Sequence, residues 1–174
     1  MSAPGAAVLS VDQARMVQGP VSIMLGSCGP LRRPHVARGI GCCVSADRGT
    51  VSVLVQPSAA AQVVDDVRAN GRLAVVFTEP ISHRSLQLKG SNARLEPAGG
   101  GGRELAQIWA GGYAREVVDL APPTWTPQRL IAALVPANPD DLAVLVFTPD
   151  AIFDQTPGPR AGEPAAHPAA HSAA

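Results

Sequence analysis

The sequence has no excess of charge of either sign, since Lys and Arg together number 14 and Asp and Glu also number 14. Nucleic-acid grooves and anionic membrane surfaces usually bind a basic excess, so neither is expected as the main partner. No apolar run reaches the ~20 residues of a membrane-spanning helix, and the first residues lack the charged and apolar regions of a signal peptide. These absences predict a cytoplasmic protein without nucleic-acid or membrane partners.

Cysteine is also scarce, and no catalytic cluster is visible. Cys28, Cys42 and Cys43 have neither the spacing of a zinc site nor a nearby pair of histidines, so no metal site is predicted. Neighbours on a strand point to opposite faces, so Cys42 and Cys43 are interpreted as two small packed thiols, with a redox role as the alternative. Without a Ser-His-Asp set or facing carboxylates, catalytic residues stay unassigned.

Aromatic residues make up only 3% of the chain, and lysine occurs once, at Lys89. Trp109 lies at helical spacing with apolar neighbours, which favours a place in the core. The alternative is that Trp109 and Trp125 cover the ring of a ligand.

The densest group of anion-binding side chains lies in residues 72–97. The apolar, Val-rich run 72–78 predicts a strand covered on both faces, which Pro80 ends. Alternation from 85 to 89 predicts a second strand, followed by a β-bulge at Gly90 and Ser91. The hairpin is then expected to gather, at one end and on one face, a group of side chains that would bind an anion: His83, Arg84, Ser85, Gln87 and Lys89.

A strip of small residues marks another predicted strand, over residues 35–45. Ala37, Gly39, Gly41 and Cys43 fall on one face of it by alternation. Such a strip lets a planar ring or a second subunit come close, or it allows close packing and sharp coiling inside a small barrel. The sequence leaves both possibilities open.

Four helices are predicted: residues 11–17; a helix opened by Pro57 and Ser58 and ended by Asn70 and Gly71; 103–120, with a possible split at Gly111 and Gly112; and one from Thr126 to near Ala137. In the second helix, valines 63, 64 and 67 form the apolar stripe. Asp65, Asp66 and Arg68 are assigned to its wet face.

Six strands joined mostly by short turns predict a mainly β fold with flanking helices, a six-stranded antiparallel sheet that closes into a barrel. Residues 1–155 are assigned to this domain, and residues 156–174 to an irregular C-terminal segment and a disordered Ala/Pro tail. His167 and His171 have the spacing of a helical metal pair, but Pro168 between them favours chance.

The order of these elements, together with the strings RPHVARGIGCCVSADRGTVSVLV, NGRLAVVF and HRSLQLKG, resembles the pyridoxamine 5′-phosphate oxidase-like, FMN-binding split-barrel superfamily. The resemblance covers about residues 19–97 and the last strand. It implies a split β-barrel that forms homodimers and binds FMN in clefts at the subunit interface. Members include oxidases of vitamin B6 phosphates, flavin reductases, haem-utilisation proteins and binders of deazaflavins.

The resemblance carries over to some residues and not to others. Arg38 aligns with the arginine that begins the second-strand FMN motif, whereas the closing lysine of that motif falls on Cys43. The Ser-Arg-Lys phosphate clamp falls near residues 61–63, where both cations are missing. Arg84 matches the arginine of the fifth-strand motif, and Ser85 takes the place of a glutamine that contacts the flavin. The C-terminal elements of true pyridoxamine phosphate oxidases are absent, so vitamin B6 oxidation is not expected.

If FMN binds, its phosphate needs replacement cations, because a dianion in a partly dry cleft requires charged donors. We hypothesise that Arg84 grips the phosphate through its planar fork, with Lys89 and His83 as further donors. Ser85 and Gln87 would contact the ribityl chain or the ring edge. The alternative for Lys89 is a solvated strand charge.

Two classes of function follow. The first is an FMN-dependent oxidoreductase acting on a small redox substrate, in which the flavin performs the chemistry and the chain supplies no catalytic acid or base. The second is a non-catalytic barrel that has lost the phosphate clamp and holds haem or another ligand. His35 and His83 are then the candidate haem ligands in the ordered part.

Overall fold

A computed structural model describes residues 6–165 of the chain. The end of the predicted tail, including its two histidines, lies outside the described residues. Within residues 6–165 the chain forms eight strands: β1 (Ser22–Cys28), β2 (Pro34–Val44), β3 (Val51–Val55), β4 (Leu73–Thr78), β5 (Ser85–Gly90), β6 (Arg94–Pro97), β7 (Ala143–Phe147) and β8 (Ala151–Asp154).

These strands form an open antiparallel sheet in the order β6-β7-β3-β2-β1-β4-β5-β8. The mainly β architecture with flanking helices matches the predicted split-barrel fold, but the sheet has eight strands instead of six and does not close on itself. One additional strand arises because a segment predicted as one strand is divided by a corner, and the other, β8, lies beyond the predicted last strand.

The first corner replaces the predicted bulge after β5. Here β5 pairs with β4, whereas β6 pairs with β7 in the other half of the sheet. A Cβ at Gly90 would lie 2.7 Å from the Phe147 ring and 3.0 Å from the Thr148 carbonyl oxygen. Glycine is therefore required for the chain to turn so close to β7. A second corner, at residues 148–150, ends the predicted last strand at β7, and the chain then forms β8, which was not predicted.

The small residues of β2 allow close packing. The register with β3 shifts between Gly39 and Cys42, so that the faces of β2 interchange and Cys42 is buried. A Cβ at Gly39 would lie 2.6 Å from Ile23 Cγ2, and one at Gly41 would lie 3.0 Å from Leu105 Cγ on a flanking helix. The packing alternative is thus the correct one for this strip.

Four helices flank the sheet within the described range: α1 (Val11–Val17), α2 (Ala61–Asn70), α3 (Gly102–Val117) and α4 (Pro127–Leu134). Ser10 caps α1 in a capping box with Gln13. Gly111 and Gly112 do not split α3, contrary to one expectation. A Cβ at Gly112 would lie only 3.0 Å from Pro20 Cβ, so this glycine lets the helix approach the start of β1.

The core contains Trp109, as its helical spacing predicts. Its side chain is buried, its Nε1 donates a hydrogen bond to the Val21 carbonyl oxygen at 2.9 Å, and its ring stacks on Tyr113. Trp109 therefore fixes α3 to the start of β1. In the part of the chain that the structure describes, no helix is long and apolar enough to cross a membrane.

Residues 155–165 return along the free edge of β8. Asp154 donates its backbone N–H to Glu163 and Ala165 donates to Ile152, and Phe153 forms a bridge with Pro164. This segment satisfies backbone groups that an edge strand would otherwise expose. The boundary at residue 156 and the disorder of the tail stay predictions.

Candidate functional site

The strands β2, β1, β4, β5 and β8 present one face to solvent, which we call the outer face. It consists of two rows of side chains that the antiparallel register places side by side, Val36–Gly26–Ala74–Lys89–Ala151 and Arg38–Met24–Val76–Gln87–Phe153. Val36 is 74% exposed and Met24 40%. Exposed apolar side chains flanked by polar ones are typical of a surface that binds something.

Alternation explains this face. In β1, Ile23 and Leu25 point into the core, so Met24 and Gly26 point outward. In β5, Leu86 and Leu88 are buried and the residues between them point the other way.

A groove of about 680 Å³ crosses the first row near the strand ends; we call it the outer groove. Gly26 and Ala74 have almost no side chain, and they lie between Val36 and Lys89 on the flanking strands. The small residues in the middle of the row thus leave room for a ligand on the sheet.

Lys89 lies at the β5 side of the outer groove. Its Nζ is 4.8 Å from the centre of the Phe153 ring, a cation–π distance. Among the described residues, no carboxylate oxygen lies within 4.0 Å of this ammonium group. Lys89 is therefore a positioned cation that remains free to pair with an anion.

At the β2 side of the outer groove, His35 is held by a buried carboxylate. His35 Nδ1 lies 2.8 Å from Asp66 Oδ2, and Ser27 Oγ donates to the same oxygen at 2.7 Å. The hydrogen bond from His35, assisted by that from Ser27, lowers the pKa of Asp66 although burial acts to raise it. Asp66 is therefore an ionised acceptor at neutral pH, and neutral His35 carries its proton on Nδ1.

This arrangement was missed in the sequence, where Asp66 was assigned to the wet face of α2. The structure shows that Asp66 is buried at 6% exposure and packs toward β1 and β2. The available signal was its spacing of three residues from Val63, which places Asp66 beside the apolar stripe of the helix, whereas Asp65 lies on the opposite side.

Arg84 lies apart from the outer face. Its guanidinium pairs with Asp12 of α1 and lies 3.9 Å from Glu79, beside a separate pocket of about 390 Å³. Its two carboxylate partners occupy the fork that was expected to grip a phosphate. His83 sits at φ 58° in the exposed turn before β5, and its carbonyl accepts a hydrogen bond from Ser85.

The other four residues predicted for the site, Arg38, Ser85, Gln87 and Lys89, point to the outer face. Ser85 is buried at its edge, hydrogen-bonded to Thr78. Arg38 and Gln87 belong to one row three strand spacings apart, about 14 Å. The structure thus places these four on one face, without His83 and Arg84. Their role as cofactor ligands stays a prediction.

A second, smaller pocket of about 240 Å³, which we call the helix pocket, opens at the N-terminus of α2 and shares Val36 with the outer groove. No side chain caps this helix. The backbone N–H groups of Ala61, Gln62 and Val63 donate to no acceptor in the described part of the chain. Three free donors at the positive end of a helix favour an anion.

Other candidate chemistry is absent from residues 6–165: no cluster of three or more His, Cys, Asp or Glu side chains could hold a metal ion. Cys42 is buried, which raises the pKa of its thiol, whereas Cys43 is exposed. The two thiols therefore lie on opposite faces, as predicted, but only Cys42 is packed and the interpretation of Cys43 as a packed thiol is wrong.

No family model matches the sequence, and no curated protein is significantly similar to it. Several solved structures are similar to this chain. HupZ from Group A Streptococcus is 16% identical, with a TM-score of 0.53 over 89% of this chain and 100% of that one. HutZ, the haem storage protein of Vibrio cholerae, is 13% identical with a TM-score of 0.48 over 84% and 94%. A pyridoxamine 5′-phosphate oxidase-related, FMN-binding protein of Nostoc punctiforme is 13% identical with a TM-score of 0.45 over 81% and 77%. At these identities the likeness is one of fold.

Proposed function

From the premise that this chain has the split-barrel fold of the pyridoxamine 5′-phosphate oxidase-like, FMN-binding superfamily, we propose that it is a flavin-dependent oxidoreductase that holds FMN on the outer face. The observation that carries the proposal is the continuity of the two pockets. The outer groove and the helix pocket meet at Val36 and together offer an apolar surface, polar edges and an anion site.

The ring of the flavin would lie on the outer face. Met24, Val36 and Val76 supply apolar contact area, and Gln87 and Arg38 lie at the two sides of their row. An amide and a guanidinium can both donate to the carbonyl oxygens of a flavin ring, and Gln87 can also accept from its N–H. The polar edge of the ring would therefore face one of these two residues, and the other would lie at the opposite end of the row.

The phosphate would lie in the helix pocket, where the resemblance placed the clamp whose cations are missing. Backbone N–H groups replace those cations, because free donors and the helix dipole together stabilise an anion. This assignment replaces Arg84, whose guanidinium is paired with Asp12 and Glu79.

The bound flavin would supply the electron transfer, and the chain would bind and orient it and restrict access of water. We further propose that a second copy of the chain completes the site. The outer face is broad and has few charged side chains. Its apolar residues Met24 and Val36 are exposed in a single chain, so contact between the outer faces of two copies would bury them.

The test of the cofactor is the visible spectrum of the purified protein, recorded before and after addition of FMN and desalting. A retained flavin spectrum supports the proposal, and release of all added FMN would refute it. Addition of haemin gives the test of the second function, for which His35 offers a ligand with a carboxylate behind it. A Soret band lost on His35→Ala would favour the haem-binding alternative.

The test of the dimer is sedimentation of Met24→Glu beside Ile108→Glu. Both positions are exposed in a single chain, at 40% and 65%, but Ile108 lies on α3, away from the outer face. We expect the first variant to be monomeric, because a carboxylate would be buried, and the second to remain dimeric. Cross-strand pairing with Arg38 keeps the monomer of the first variant folded. A dimeric Met24→Glu variant would contradict this interface.

A further inference from the structure

The outer groove has a basic lining that flavin binding does not use. His35 comes from β2, Arg72 precedes β4 and Lys89 comes from β5, whereas Asp150 is the one acidic residue among the side chains that line it. In the part of the chain described by the structure, neither Arg72 nor Lys89 has a carboxylate partner within 4.0 Å. Three basic groups, two on strands and one just before β4, favour an anion at this place.

The rest of the lining is apolar. Pro34 and Leu73 contribute carbon surface, and Gly26 and Ala74 leave space beside them. A volume of about 680 Å³ is that of a site for a small organic molecule. The complementary ligand has an apolar body and a single anionic group.

His35 adds a switch to this site. Because Asp66 occupies Nδ1, the nitrogen left for a ligand is Nε2, which has no hydrogen-bond partner among the described residues. Neutral His35 offers an acceptor there, and protonated His35 offers a charged donor. The other titratable groups that line the groove around it are Cys28, Arg72, Lys89 and Asp150.

We propose that the outer groove binds a small carboxylate with an apolar body, held by Lys89 and Arg72, and that protonated His35 tightens its binding. The inference rests on the proposed function in one respect: this carboxylate is the redox substrate, lying beside the flavin. The site itself is built from the chain alone, so binding can be measured without FMN.

The experiment is a titration of the FMN-free protein with benzoate, followed by the backbone amide resonances of Gly26 and Ala74. We expect saturable shifts, with affinity several-fold higher at about pH 5 than at about pH 8. His35→Gln, which keeps a donor toward Asp66, should remove the pH dependence. Lys89→Met, which keeps the aliphatic stem over Phe153, should weaken binding about fivefold.

The matched control is Arg94→Ala, which removes an exposed cation on β6 away from the groove and should leave benzoate affinity unchanged. Absence of saturable shifts at the groove, or pH dependence that persists in His35→Gln, would overturn the inference. Failure of the FMN titration with benzoate binding intact would refute the flavin proposal and leave this site standing.

Discussion

Replacing Gln62 by Glu places one negative charge at the helix pocket and changes little else. Gln62 is the second residue of α2, exposed, and lines the pocket. A carboxylate in the first turn of a helix stabilises it by about 0.3–1 kcal/mol, so this variant is expected to fold at least as well as the parent. Its effect on an anion in the pocket is the opposite, because the two negative charges repel.

The size of that repulsion follows from the size of the pocket. A volume of about 240 Å³ is about 8 Å across, so the new carboxylate lies about 6 Å from a phosphate inside. At an effective dielectric constant of ~40 this gives about 1.4 kcal/mol per unit charge. For a phosphate of charge about −1.5 to −2 the sum is about 2–3 kcal/mol, a loss of about 30- to 100-fold in affinity for FMN.

Fluorescence titration with FMN and with riboflavin gives the assay. Riboflavin has the same ring and no phosphate, so its affinity should be equal in Gln62→Glu and the parent protein. The control is Gln128→Glu, which adds the same charge at the second position of α4, away from the pocket. The reasoning is refuted if FMN affinity is unchanged in Gln62→Glu, or if riboflavin affinity falls by the same factor.

Two predictions concern stability, measured by urea unfolding. The pKa of Asp141 is lowered chiefly because Ser58 and Gln56 donate hydrogen bonds to its ionised form. The ionised Asp141 therefore stabilises the fold fully above the ordinary Asp range, and this stabilisation is lost as pH falls below that range. Asp141→Asn should destabilise the fold at pH ~7 and do so less as pH falls below the ordinary Asp range, whereas Asp140→Asn should have no effect. A loss of stability that stays constant as pH falls would contradict this. Gly111→Ala should stabilise α3 by about 0.5–1 kcal/mol, because a Cβ there meets nothing within 4 Å. Gly112→Ala should not be stabilising in the same way, because its Cβ would lie only 3.0 Å from Pro20 Cβ. An equal increase in the free energy of unfolding for both variants would disprove that contact.

The local pattern in the sequence was sufficient for the four α-helices, for most of the strands and for one half of the site. Alternation in residues 85–89 placed Ser85, Gln87 and Lys89 on one face, and the structure agrees. The same pattern placed Arg84 with them, because alternation describes a strand and Arg84 lies in the turn before it. Its guanidinium instead forms a salt bridge with Asp12, which is 72 residues away in sequence.

What the sequence by itself determined is whatever depends on neighbours along the chain: the helix caps, the buried faces of strands and the likeness to a split barrel. Only the tertiary structure decided how many strands there are, because the corners at Gly90 and at residues 148–150 depend on which distant strand each half pairs with. Only the tertiary structure brought Ser27, His35 and Asp66 into contact. In the sequence a carboxylate on a helix is assigned to solvent, because nothing local shows that a histidine on a distant strand contacts it. Charge interactions and hydrogen bonds depend on distance in space, and residue spacing along the chain predicts only those that form between neighbours in sequence.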